Sequence, residues 1–332
     1  MAFDSRLSRV VAVVVVVLLL AGTAYGLVAV DRPRVEAVDN DWGTVTQEWT
    51  EVETRIQVAN PALLRVGDAV ADVEYTLSLN GIGMAHERTR SVDLSGERDV
   101  VHLSTRVDND DIPEWWASHV ERNETTTVRV DPTVAVEYAG VRVPAESWTR
   151  TRTVETDLLE PLRTGENRRI TASNRTLLIV NDTDARWGNA TVERTPIHAS
   201  ATVTNPTPVA VPVTDIEYTI RMNGIVVGNG TAAEPTVVPP GETRTLETRA
   251  VIDNSRLDEW WVTHLRNDET TRMTVDFYAT VELFGNRYRL PLESLSYERT
   301  FHTDILGSDG STTNDAGADR RVQAAQTTAR GR

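Results

Sequence analysis

Two stretches 145 residues apart constrain this chain most: Ile112-Pro-Glu-Trp-Trp-Ala-Ser-His119 and Leu257-Asp-Glu-Trp-Trp-Val-Thr-His264. In the first, apolar residues fall at i, i+3, i+4 and i+8 as Ile112, Trp115, Trp116 and Val120. In the second they are Leu257, Trp260, Trp261 and Leu265. His119 and His264 take position i+7 of the same stripe. This spacing predicts one buried face of a helix of about three turns. An Asp-Asn pair precedes each copy, and Asp110 or Ser255 is the expected N-cap. A Trp-Trp pair suits either a stacking platform for a sugar or base, or a core. The core reading is preferred, because these indoles are the largest apolar mass in each half.

The helix is one piece of a longer duplication. Trp42-Gly43 aligns with Trp187-Gly188, Asn60-Pro61 with Asn205-Pro206, and Asn80-Gly81 with Asn223-Gly224. Thr156-Asp-Leu-Leu159 aligns with Thr303-Asp-Ile-Leu306. A repeat of about 115 residues has the size of a domain and exceeds a solenoid unit. Within each copy, apolar and polar residues alternate. Val52, Thr54, Ile56 and Val58 interleave with Glu51, Glu53, Arg55 and Gln57, and Ile216, Tyr218, Ile220 and Met222 repeat the pattern. Such strands bury one face and wet the other, as antiparallel sheets do. Asn80-Gly81 and Asn223-Gly224 stand where hairpin turns belong. The expected fold is all-β dominated: two tandem β-sandwiches, each with one short helix, behind a single N-terminal transmembrane helix.

That transmembrane expectation rests on Val10 to Val30, 21 residues without a charge. At 1.5 Å per residue they span roughly 30 Å, the thickness of a bilayer core. The run continues past the small-residue stretch Ala21-Gly-Thr-Ala24, which favours an uncleaved anchor over a signal peptide. The expected layout is a cytoplasmic N-terminus (1–9), the anchor (10–30), a first sandwich (35–160), a linker (161–174), a second sandwich (175–306) and a disordered tail (307–332). Both sandwiches are then expected outside the cell membrane. There the candidate N-glycosylation sequons at Asn123, Asn174, Asn181, Asn189 and Asn229 would be usable.

Composition narrows the chemistry. The chain has 332 residues, no Cys and a net charge of −15, and all 34 of its basic residues are Arg. Disulfides and cysteine catalysis are excluded. A Lys-free acidic surface suits a salt-loving microbe, because molar salt shortens the Debye length to about 3 Å and screens self-repulsion. Nothing resembles a basic stripe, so nucleic acid is not an expected partner. The histidines are scattered, and there is neither a phosphate-binding Gly loop nor a Gly-x-Ser-x-Gly elbow. No catalytic, cofactor or metal residues are expected, and the chain reads as a non-enzyme.

An alternating strand ending in Asn-Pro, then a strand holding Tyr and closing on Asn-Gly, then a helix, resembles the late embryogenesis abundant type 2 domain. That domain is also called the water-stress and hypersensitive-response (WHy) domain. The second unit matches in more places, through Val203-Thr-Asn-Pro-Thr-Pro-Val209, Tyr218 to Asn223-Gly224, and Val238-Pro-Pro-Gly241. The first keeps Asn60-Pro61 and Tyr75 but lacks the Pro-Pro-Gly. The resemblance implies a seven-stranded, fibronectin-III-like sandwich with one helix, a part in desiccation or osmotic stress, and no catalytic residues. The family-motif positions Asn60, Pro61, Tyr75, Asn205, Pro206 and Tyr218, with Trp115, Trp116, Trp260 and Trp261, are read as structural. Two functions stay open: membrane-anchored stress protection, and an envelope binding module for a lipid-like ligand or a protein partner.

Overall fold

Alternating burial builds long strands, and the chain lays them out twice. The computed structural model describes residues 33–307, apart from 62–69, 94, 139–140, 145–148, 173–174, 232–234, 284 and 294. The expected anchor and the tail from 308 onward lie outside the described residues. Among those described, no helix is long and apolar enough to cross a membrane.

In the first unit, β1 (Arg34–Val45), β2 (Trp49–Ala59) and β5 (Arg98–Asp108) form one antiparallel sheet in the order β1-β2-β5. It faces a second sheet of β3 (Val70–Leu79), β4 (Ile82–Asp93), β6 (Thr125–Tyr138), β7 (Val141–Pro144) and β8 (Arg150–Glu155). Helix α1 (Ile112–Glu121) crosses from β5 to β6. In the second unit, β9 (Arg168–Ala172), β10 (Arg175–Trp187), β11 (Arg194–Thr204) and β15 (Thr243–Asp253) form one sheet. The facing sheet holds β12 (Val211–Met222), β13 (Ile225–Thr231), β14 (Thr236–Val238), β16 (Thr270–Leu283), β17 (Asn286–Pro291) and β18 (Tyr297–His302). Helix α2 (Leu257–Arg266) crosses from β15 to β16.

Among the described residues the first unit has eight strands and the second ten, against the seven that the resemblance implies. The extra ones are short returns, such as β7 and β17, that fold back along the 14-residue strands β6 and β16. Strand β9 falls within residues 161–174, expected as a linker, where it pairs with β10. Its sequence, Arg168-Arg-Ile-Thr-Ala172, has one buried residue, Ile170, so period two had little to register.

The two sheets of each unit are tied across the core. The Tyr75 hydroxyl donates to Asn40 Oδ1 at 3.0 Å, and burial pushes this phenol up to about 12. In the second unit the Tyr218 hydroxyl instead accepts from the Val251 amide at 3.0 Å. Asn80 and Asn223 take positive φ (55° and 50°) ahead of Gly81 and Gly224 (85° and 84°), closing the β3–β4 and β12–β13 hairpins as two-residue turns do. The helices are capped two residues earlier than expected. Each enters through a 3-10 turn, so the capping carboxylates are Asp108 and Asp253, which accept from the Asp110 and Ser255 amides.

At the far end of each unit from its helix sits the Asn-Pro pair. Asn205 is fully buried. Its amide donates to the carbonyls of Val209 (2.7 Å) and Val238 (2.9 Å), and its oxygen accepts from the Thr207 amide (2.9 Å). It locks the β11–β12 turn onto β14. Asn60 instead ties the end of β2 to the segment between β4 and β5, donating to Gly96 O and Asp99 Oδ2. Pro61 is half-buried and Pro206 exposed. Asn205→Ala removes three hydrogen bonds, of which the one to the Val238 carbonyl is buried, and is expected to cost about 1–3 kcal/mol, read as a fall in thermal midpoint.

Candidate functional site

The Trp-Trp helices meet each other. All four indoles are at most 5% exposed, and Trp115 packs edge-on against Trp261 as Trp116 does against Trp260, with centroids 5.4 and 5.5 Å apart. Each edge-to-face pair adds about 0.5–1.5 kcal/mol beyond its area burial. The remaining gap between the helices is a cavity of about 20 Å³ that His119 and His264 both line. That is room for about one water, so no face is left on which a sugar or base stacks.

The polar groups of this junction run in two matching chains. On one side, Trp115 Nε1 donates to Thr126 Oγ1 (3.0 Å), and His119 lies between Thr126 and Thr156, with Nδ1 at 2.8 Å and Nε2 at 3.0 Å from their hydroxyls. The Thr156 hydroxyl donates to Glu124 Oε2 at 2.8 Å. A hydroxyl has one proton, so Thr156 must accept from His119 Nε2–H, and His119 Nδ1 then accepts from Thr126. The other side repeats the order through Trp260, Thr271, His264, Thr303 and Glu269. Each histidine is thereby fixed as the neutral Nε2–H tautomer. Burial pushes His119 down to about 4. Burial, then the charge of His302, pushes His264 down to about 3.

Both chains end on a buried glutamate, and there the two units cross. Glu124 Oε2 also accepts from the Leu158 amide (2.7 Å), and its Oε1 accepts from Trp187 Nε1 of the second unit (2.8 Å). Glu269 likewise accepts from the Ile305 amide (2.8 Å) and from Trp42 Nε1 of the first unit (2.7 Å). Three donors thus converge on each side chain, an arrangement that a carboxylate satisfies. Both glutamates sit in the second of two successive left-handed residues, Asn123-Glu124 (φ 56° and 58°) and Asp268-Glu269 (φ 51° and 52°). For side chains that are not glycine this conformation is strained, and it turns each carboxylate inward.

Two further bonds cross the junction reciprocally. Trp116 Nε1 donates to Thr195 Oγ1 (3.1 Å), and Trp261 Nε1 donates to Thr50 Oγ1 (3.2 Å). Each of those hydroxyls donates onward to a fully buried Asn, Thr195 to Asn254 and Thr50 to Asn109. Ion pairs rim the contact, with Arg152 at 2.6 Å from Asp304 and Arg299 at 2.7 Å from Glu160. A single apolar cluster accordingly runs through both units.

The residues singled out in the sequence therefore separate. Trp115, Trp116, Trp260, Trp261, His119 and His264 come together. Tyr75 and Tyr218 lie between sheets, and Asn60, Pro61, Asn205 and Pro206 lie at the far ends. Of the sequons, Asn123, Asn189 and Asn229 are exposed, Asn181 is half-buried and bonded to Asn167 and Thr204, and Asn174 lies outside the described residues. No group of His, Asp and Glu among the described residues could hold a metal. Trp42, Trp187, Glu124, Glu269, Thr50 and Thr195 carry the crossing; of these the sequence marks only Trp42 and Trp187, as aligned positions of the duplication and not as partners in a contact. Their signal was that each recurs at the offset of 145.

Glu124→Gln keeps the volume but turns an amide NH₂ toward a donor at one end of the side chain. We expect it to cost about 2–3 kcal/mol in denaturant melts. The histidines set a pH dependence. Their folded values lie below the free value, so the unfolded chain binds more protons once pH falls below about 6.5, and stability is lost progressively toward pH 4 and then 3. Thermal midpoints should be flat above neutrality on this account and fall through that window, and His119→Gln should reduce the slope.

Comparison with known proteins places the second unit. Residues 200–312 match the family profile described as Late embryogenesis abundant protein. A crystal structure of a protein from Archaeoglobus fulgidus is 34% identical, over 38% of this chain and 98% of that one, with a TM-score of 0.36. A solution structure from Arabidopsis thaliana is 12% identical, over 39% of this chain and 84% of that one, with a TM-score of 0.31. A search of curated proteins found no match. Over residues 200–312, the second unit is thus related to the late embryogenesis abundant proteins.

Proposed function

We propose that this chain is a non-catalytic stress-protection protein of the cell envelope, held in the membrane by residues 10–30 with its N-terminus inside and both sandwiches outside. The observation that carries this reading is the family match of the second unit. The junction supports it. It uses its most reactive side chains, two histidines and two glutamates, as fully bonded structural members, and it joins the sandwiches into one body with a hydrated outer surface. The net charge of −15 with no Lys suits work at high salt, where dense carboxylates stay hydrated and their repulsion is screened. An anchor would concentrate both sandwiches at one surface, which protecting a membrane calls for and protecting the cytosol does not.

Deleting the gene is expected to reduce survival of drying and of osmotic downshift, with rescue only by the full chain. Rescue by residues 35–332 made soluble in the cytoplasm would overturn the envelope reading. Stoichiometric lipid on the purified protein, with no survival defect on deletion, would favour a carrier instead. Circular dichroism between about 0.1 and 3 M salt should show structure gained as salt rises, and a flat response would contradict the halophilic part.

A further inference from the structure

The outer face of the second unit's sheet β15-β11-β10-β9 sorts its charges into rows. Register sets Arg186 of β10, His198 of β11 and Arg249 of β15 side by side, and the next row on the same face is Asp184, Ser200 and Glu247. The four charged residues are exposed, and His198 and Ser200 are half-buried between them. Strand geometry spaces the rows about 7 Å apart and spreads each charged pair over about 10 Å. Both rows line one groove of about 750 Å³, a size that suits a small molecule.

A face built for stability alone would alternate the signs, because like charges set opposite one another across strands are unfavourable. This face also leaves ready ion pairs unmade. Arg129 and Asp131, and Arg244 and Glu242, close salt bridges of 2.5 Å at i, i+2 spacing along a strand or its approach. Arg186 and Asp184, and Arg249 and Glu247, share that spacing, yet none of the four has an ion-pair partner among the described residues. The first unit serves as a comparison within the chain. The same positions there carry Asp41, Glu53 and Ser104 in one row and Asp39, Arg55 and His102 in the other. Its signs are mixed, so the ordering belongs to the second unit and not to the fold.

The centre of the cationic row is low. A Cβ on Gly188 would lie 2.8 Å from His198 Nε2 and 2.9 Å from Pro196 Cβ, so the missing side chain lets the imidazole lean onto the sheet, away from the acidic row. Arg186 and Arg249 stand on either side of this floor, where both guanidinium forks can close on one carboxylate. Asp184 and Glu247 flank Ser200 in the same way, and two carboxylates beside a hydroxyl suit an ammonium with its three donors. A simple anion on the first row would face the acids about 7 Å away, and a simple cation on the second would face the arginines. A ligand carrying both charges satisfies both rows.

We propose that this groove binds a small zwitterion, its carboxylate held by Arg186 and Arg249 and its ammonium by Asp184 and Glu247. Titration calorimetry on the full chain, at the lowest salt that keeps it folded by circular dichroism, tests this. The probes are glycine, γ-aminobutyrate and ε-aminocaproate, which set the two charges progressively further apart. The account expects ε-aminocaproate to bind about tenfold tighter than glycine, and acetate and ethylamine to give no saturable heat. Arg186→Gln with Arg249→Gln, and separately Asp184→Asn with Glu247→Gln, should each weaken ε-aminocaproate binding by about tenfold or more. Asp39→Asn with Asp41→Asn, on the same face of the first unit, should leave it unchanged. Affinity that rises when the acidic row is neutralised would overturn the proposal, by making the groove an anion site. Equal affinities along the length series, or no saturable heat with any probe, would also overturn it.

Discussion

The structure depends on two indole-to-carboxylate bonds that cross between the units, Trp42 to Glu269 and Trp187 to Glu124. A buried carboxylate is costly unless donors surround it, and each of these has two donors from its own unit and one from the other. The third donor makes each unit's electrostatics depend on its neighbour. Without the crossing, Glu124 would be a buried acid short of a partner, and Trp187 a half-buried indole with nothing to donate to. The histidines belong to the same circuit, since their tautomers follow from the direction in which the threonine hydroxyls must point.

This geometry explains why two rare features occur together in both copies. Left-handed Asn123-Glu124 and Asp268-Glu269 would be poor choices for a plain turn out of a helix. They are compatible with a stable fold because the carboxylate they turn inward is bonded three times. The reciprocity has the form of a two-fold interface, in which the same surface patch serves both partners. Here the partners are two copies of one unit in a single chain, so the contact forms at the high local concentration that a covalent link provides.

Much of the sandwich was legible in the sequence, because period-two burial leaves a direct trace. Val52, Thr54, Ile56 and Val58 are all buried on β2, and Asn80-Gly81 makes the turn its residue types require. The Trp-Trp helix was legible for the same reason at period 3.6. The junction was not. Trp42 and Glu269 are 227 residues apart, and neither sits in a local pattern that says what it bonds. Strand β9 hid in a polar segment because a short edge strand with one buried residue carries almost no periodicity. The caps were misplaced by a 3-10 turn that shifted the first orphaned amides onto Asp108 and Asp253.

The crossed bonds join the two sandwiches into one cooperative body. Equilibrium denaturation followed by a probe confined to each unit tests it most directly. The account predicts that the two probes report a single coincident transition in the native chain, and that Trp42→Phe with Trp187→Phe separates them into two. Two separate transitions in the native chain, or coincident ones that the double substitution leaves unchanged, would contradict it.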